Sequence, residues 1–211
     1  MKHIAERYKH VLNHTPSILA LLEAFLIFIV SLVINYFASQ YAFVRKGLPA
    51  TDILLDNLPV VNMENAFVIG TWIFVIFMIG VLLFHPKKIP FALKTMALFI
   101  VVRSAFVTMT HIGPSPLNTL TSPSEIGRAF TSGADLFFSG HTGVPFLYAL
   151  IYWKNFEMRI MFIVISVLAA IGVLFGHIHY TIDVASAYFI TYGVYIIARQ
   201  AFKKDFELFN Y

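Results

Sequence analysis

The sequence predicts an all-α fold: one bundle of six membrane-spanning helices with both termini in the cytoplasm. Three observations carry this. The 211 residues are 59% hydrophobic and only 12% charged, where a soluble domain runs nearer half apolar and a quarter charged. Mean hydropathy is +0.78, too high for a disordered chain or a water-soluble enzyme with an ordinary core. The charged residues also fall in short segments that separate long apolar runs.

A spanning helix needs about 20 apolar residues. The first run covers 18–37 and is broken only by Glu23, Ser31 and Asn35; no small-residue cleavage site follows it, so it reads as a retained helix. The second covers 66–84 and is closed by His85-Pro86-Lys87-Lys88. The third, 91–109, carries Lys94 near its start and Arg103 inside. Runs four to six are 136–153, 158–175 and 182–198. Between runs three and four, residues 113–133 form the one long loop, rich in Gly, Pro, Ser and Thr. The whole chain thus reads as a single integral membrane domain, 1–211. From Thr142 to Trp153 is about 18 Å of helix against a hydrocarbon core of about 30 Å, so 136–140 belong within or just above the hydrocarbon and His141 at head-group depth.

Orientation follows from Lys and Arg. With the N-terminus in the cytoplasm, that side receives eleven of the 15, among them Lys2, Arg7, Lys9, Lys87, Lys88, Lys94, Lys203 and Lys204. The far side receives Arg45, Lys46 and Arg128, and Arg103 remains inside a span. Cysteine is absent, which excludes disulfides, thiolate metal sites and cysteine nucleophiles. The net charge of +4 reflects this positional bias and does not call for nucleic acid.

In this topology, two separate stretches bring His141, His177, His179, Asp135 and Asp183 to one depth on the outer side. His179 and Asp183 are four residues apart, so on a helix they share a face and the carboxylate can hold one ring nitrogen. The other nitrogen is then available as a nucleophile. His141 lies in Ser139-Gly140-His141-Thr142-Gly143, where a turn opens into a helix whose free N–H groups suit a phosphate oxygen. Arg103, inside span three and nearer its outer end, is an intramembrane cation that needs a partner, either a phosphate or Asp135. A nucleophilic His–Asp pair, a second His as acid and an anion cradle together describe phosphoryl transfer through a phosphohistidine.

Asp135-Leu-Phe-Phe-Ser-Gly-His-Thr142 and His177-Ile-His-Tyr-Thr-Ile-Asp-Val184 resemble the two signature motifs of the sphingomyelin synthase family, a branch of the type-2 phosphatidic acid phosphatase superfamily. Leu48-Pro49 through Asp52 and Asp56 resembles that family's Pro-Asp motif, and Arg103 falls where the family has an arginine. The resemblance runs from about Gly47 to Tyr192. It implies His179 as nucleophile, Asp183 as its orienting carboxylate and His141 as the acid, with Arg103, Asp135, Ser139, Gly140, His177 and Tyr180 lining the substrate. The implied reaction moves a phospho-head group from a phospholipid donor to a lipid alcohol such as ceramide or diacylglycerol, without cofactor or metal.

Some positions depart from the pattern. Gly133 stands where the family's third motif often begins with Cys. Lys94 and Arg103 lack the Pro of the superfamily phosphatases, and Val173 stands where those phosphatases carry an arginine. These points lead away from a broad lipid-phosphate phosphatase.

Other readings stand beside this one. A lipid-phosphate phosphatase or phospholipase C-like hydrolase would use the same His/His/Asp site with water as acceptor. A small proton-coupled transporter would use His and Asp as a relay, but the ionisable groups gather at one face and no paired broken helices appear. His177-x-His179 beside an Asp also matches zinc-ligand chemistry, although the motif accounts for these residues without a metal. His177 either shapes the site or caps a turn. Asp52 and Asp56 read as solvated loop residues, and Glu23 as a residue that snorkels or pairs. Expected partners are the membrane and its lipids, with no nucleic acid and self-association left open.

Overall fold

The computed structural model describes residues 15–120 and 136–210. Asp135, Gly133 and Arg128 lie outside the described residues, as do Lys2, Arg7 and Lys9. The elements, in order, are α1 (Thr15–Arg45), α2 (Glu64–Leu83), α3 (Ile89–Met109), α4 (Gly140–Ile151), α5 (Phe156–Phe175), α6 (Thr181–Ala201) and α7 (Lys203–Asn210). Short 3-10 turns at Leu55–Asn57 and Pro86–Lys88 interrupt the connections. Among the described residues the only strand-like pairing is an isolated parallel bridge between Pro49 and Gly113.

Among the described residues, five helical stretches are long and apolar enough to cross a membrane: Ser17–Arg45, Glu64–Leu83, Pro86–Met109, Phe156–Phe175 and Thr181–Ala201. The run expected at 136–153 behaves differently. Its helix, α4, has only 12 residues, or about 18 Å. The cause is local. The Ser139 backbone is non-helical, and its Oγ accepts from Thr142 N at 3.4 Å, an N-cap that starts the helix late. At the other end Tyr152 closes α4, and Asn155 caps α5 by accepting from Met158 N at 3.2 Å.

The short helix is the centre of the bundle. Leu147, Tyr148, Ala149, Leu150 and Ile151 are all buried, and α4 packs against α5, α6 and α3 while α1 lies along α3. In lipid there is little hydrophobic force between helices, so close packing must hold them. Gly143 shows how close. A Cβ there would come within 2.9 Å of both the Phe99 ring and Thr191 Oγ1, so α3 and α6 approach α4 over a missing side chain. Phe162 of α5 fills the other flank, its ring 5.6 Å from that of Tyr148 and 5.9 Å from that of Tyr152. The outward faces of α1 and α2, with Leu19, Leu22, Leu26, Ile69, Ile73 and Ile76, are exposed and apolar, as lipid-facing surfaces must be.

At the end of the bundle where α1 and α3 begin, Lys94 is buried and answers two carboxylates. Its Nζ donates to Glu23 Oε2 at 2.6 Å and to Asp205 Oδ2 at 2.7 Å. Glu23 therefore pairs. One cation ties α1, α3 and α7 together, and breaking its buried half, the pair with Asp205, costs about 3–5 kcal/mol.

Candidate active site

The opposite end of the bundle holds the histidines, and the turn between α5 and α6 delivers two of them. Gly176 is the C-cap of α5, and His177 follows in the left-handed region at φ 51°. His177 N donates to Leu174 O at 3.0 Å and Ile178 N to Val173 O at 2.9 Å. That pair of bonds is a Schellman ending, whose left-handed position is normally glycine. Ile178 packs in the same cluster as Val173, the apolar contact that accompanies this ending. His177 thus forms the turn that reverses the chain. Its ring is buried, and Nε2 has no hydrogen-bond partner among the described residues. Loop segments satisfy the last carbonyls of α5: Thr119 gives both N–H and O–H to Gly176 O, each at 3.0 Å, and Val61 N reaches Phe175 O at 2.9 Å.

His179 leaves this turn just before α6. Its Nδ1 lies 3.3 Å from Asp183 Oδ2, with the imidazole 4% exposed and the carboxylate fully buried. The same oxygen accepts from Tyr180 N at 3.0 Å, so Asp183 closes the first turn of α6 while it holds the ring. With Nδ1 directed to the carboxylate, Nε2 is the nitrogen presented for chemistry.

The start of α4 meets this turn. Ser139 N donates to Asp183 O at 3.1 Å, and the His141 and His179 rings lie 5.9 Å apart between centroids. Phe67 of α2 sets its edge against His141 at 4.4 Å. Arg103 of α3 donates from Nε to Phe138 O at 2.9 Å. A Cβ at Gly140 would sit 3.3 Å from that Nε, so glycine lets the guanidinium lie against the first residue of α4. Two buried atoms here, His141 Nδ1 and Asp183 Oδ1, have no partner among the described residues. Buried polar groups are rarely left so, and those that are call for a functional account.

His141, His179 and Asp183 are therefore brought together, with Arg103 and Gly140 beside them. Ser139 and Tyr180 are also here, but their side chains are engaged with the protein. The Ser139 hydroxyl caps α4. Tyr180 Oη donates to Gly113 O at 2.9 Å and accepts from Ala50 N at 3.1 Å, tying both loops on this face to the start of α6.

One residue read as a solvated loop carboxylate has a different place. Asp52 accepts from Thr181 N through Oδ2 and from Thr181 Oγ1 through Oδ1, each at 2.6 Å. Leu54 N and Leu55 N add further bonds at 3.0 and 3.2 Å. The physical reason is the helix start, since first-turn N–H groups have no intrahelical acceptor and favour a carboxylate. Nothing local in the sequence reveals this, because Asp52 and Thr181 are 129 residues apart. Phe67 was missed for the same reason.

Burial pushes the Asp52 carboxyl up, but the bonds from the Thr181 side chain and backbone, Leu55 and Leu54 outweigh it and hold the group below its ordinary 3.8. A depressed folded value means stability present above 3.8 and lost as pH falls through the folded value. The melting-temperature difference between wild type and Asp52→Asn should hold constant from neutral pH down to about 4. It should then shrink below 3.8. A gap that persists in stronger acid would show that the charge on Asp52 does not stabilise the clamp.

Residues 133–200 match the family model described as PAP2 superfamily C-terminal. The match covers about a third of the chain and spans α4, α5 and almost all of α6. It supports the type-2 phosphatidic acid phosphatase superfamily, and with it a lipid phosphatase or phosphotransferase type of activity in a membrane protein. No curated protein matches the chain significantly.

Proposed function

We propose that the chain is a membrane phosphotransferase of the sphingomyelin synthase type, moving a phospho-head group from a phospholipid to a lipid alcohol through a phosphohistidine. The reading rests on one observation above the others: His179, held on Nδ1 by buried Asp183, faces His141 at 5.9 Å between ring centroids. Two imidazoles so spaced can touch a single phosphate.

In the first half-reaction, Nε2 of His179 attacks phosphorus and the bond from phosphorus to the diacylglycerol oxygen breaks. His141 gives that oxygen its proton, so neutral diacylglycerol leaves. Asp183 stabilises the positive ring that forms on His179. In the second half-reaction, the acceptor hydroxyl gives its proton to His141 and attacks phosphorus. The N–P bond breaks and both histidines return to their starting states. Arg103, lying against Gly140, is suited to the non-bridging phosphate oxygens, because its fork matches their geometry. The Lys and Arg distribution supports an active site on the non-cytoplasmic side, with α4 as a sixth, shortened span and both termini in the cytoplasm.

The test is the product. Purified protein in vesicles is given a phospholipid labelled in the head group, with and without ceramide or diacylglycerol as acceptor. The expected result is a new labelled phospholipid that appears only with acceptor. Release of water-soluble phospho-head group at the same rate in both would instead identify a hydrolase. If neither forms while a pH gradient drives solute flux, the enzyme reading is lost.

A further inference from the structure

Two carboxylates from distant parts of the chain meet the first turn of α6. Asp183 takes the N–H of Tyr180, and Asp52 takes the N–H and hydroxyl of Thr181. Each donor is one that the helix cannot satisfy internally. Asp183 stands at the third helical position, from which a carboxylate normally reaches back to cap the start. Here its Oδ2 has a second duty, because it also holds Nδ1 of His179. A second acidic side chain at the same turn therefore has a specific effect. If Thr181 N–H had no acceptor, it would be a half-buried, unsatisfied donor beside Asp183, competing for the carboxylate that orients the histidine.

Asp52 is itself held in place. Leu54 and Leu55 donate to its Oδ1, and the loop before it is fixed by the Pro49–Gly113 bridge and by Ala50 N on the Tyr180 hydroxyl. Gly47 N reaches His111 O at 2.7 Å, and Gly113 N reaches Leu48 O at 3.1 Å. A Cβ at Gly47 would collide with the His111 carbonyl, so the loop lies flat against the segment after α3.

We infer that Asp52 is a positioning residue: by accepting both donors of Thr181 it leaves Asp183 to hold Nδ1 of His179. Its consequence for rate rests on the phosphotransferase reading above, whereas its consequence for the His179–Asp183 hydrogen bond does not.

The experiment compares wild type, Asp52→Ala, Asp52→Asn, Thr181→Val and Thr181→Ser in the intact chain in detergent. Two readouts are used: kcat and KM for the labelled phospholipid donor, and the downfield proton resonance of His179 Nδ1–H in 15N-histidine-labelled protein. That resonance is assigned by its loss in His179→Gln. In Asp52→Ala, kcat should fall roughly tenfold or more with KM nearly unchanged, and the resonance should move upfield. Asp52→Asn, which keeps an acceptor oxygen, should fall between, and Thr181→Ser should behave as wild type.

A folded Asp52→Ala with kcat and resonance like wild type overturns the inference. So does a rise in KM alone, which would make the loop a lipid contact. Should Asp52→Ala fail to fold, Thr181→Val removes only the hydroxyl bond and must shift the resonance the same way by less; no shift overturns the inference. Should wild type transfer no phosphoryl group at all, the proposed activity falls and the resonance alone decides the clamp.

Discussion

His179→Ala should abolish the covalent intermediate and reduce turnover by roughly 10⁴ or more, as removal of a nucleophile does in other covalent enzymes. In the proposed reaction the substitution deletes the atom that bonds to phosphorus, and no neighbouring group replaces it. The His141 ring stands 5.9 Å from that of His179, and Asp183 is fully buried on the Nδ1 side of His179. The measurement is single-turnover labelling with a phospholipid carrying radioactive phosphate, stopped in denaturant at alkaline pH because N–P bonds hydrolyse in acid. Wild type should carry label on the protein; His179→Ala should carry none, although it still binds the donor. Equal labelling of both proteins would move the nucleophile elsewhere and remove the basis of the proposed chemistry. The variant should fold, since the Schellman ending of α5 and the Asp183 bond to Tyr180 N do not use the imidazole.

His141→Ala should slow both half-reactions by about 10²–10⁴, the usual worth of a positioned general acid or base. That is about 3–5 kcal/mol of barrier. The loss should fall in kcat, with KM for the donor little changed, because in the proposed reaction His141 acts on the leaving oxygen rather than on the lipid chains. A donor with an acidic leaving alcohol, such as a nitrophenyl phosphodiester, separates this role from a structural one. Such a leaving group departs without a proton, so the deficit in the first half-reaction should shrink strongly. An undiminished deficit would assign His141 to packing against Phe67, whose ring lies 4.4 Å away.

Much of the fold was legible in the sequence for a simple reason: long apolar runs have few alternatives to helix in a membrane. Four spans could be read with ends within a few residues of those observed, whereas the first, read as 18–37, continues to Arg45. The fourth run resisted because its apolar stretch continues through 136–139, while Ser139 starts the helix only at Gly140. Hydropathy sees the run and not the cap. The His179–Asp183 pair was legible because it is local, four residues within one turn. The His177 turn was half-legible: a Schellman ending normally shows itself by glycine, and here glycine precedes the left-handed residue. What stayed hidden was contact at long sequence distance. Asp52 on Thr181, Phe67 on His141 and Asp205 on Lys94 are each set by tertiary packing, and no local pattern encodes them.

The brevity of α4 has a further consequence for how such a protein would meet its substrates. With 12 residues, or about 18 Å, α4 is shorter than α1, α2, α3, α5 and α6, and in the proposed arrangement its His141 end stands at head-group depth. A lipid can then arrive by sideways diffusion, keeping its tails among the other tails throughout. Velocity would accordingly follow the mole fraction of donor in the surrounding film, and diluting the film with inert lipid would slow the reaction even at a fixed amount of donor per volume of buffer.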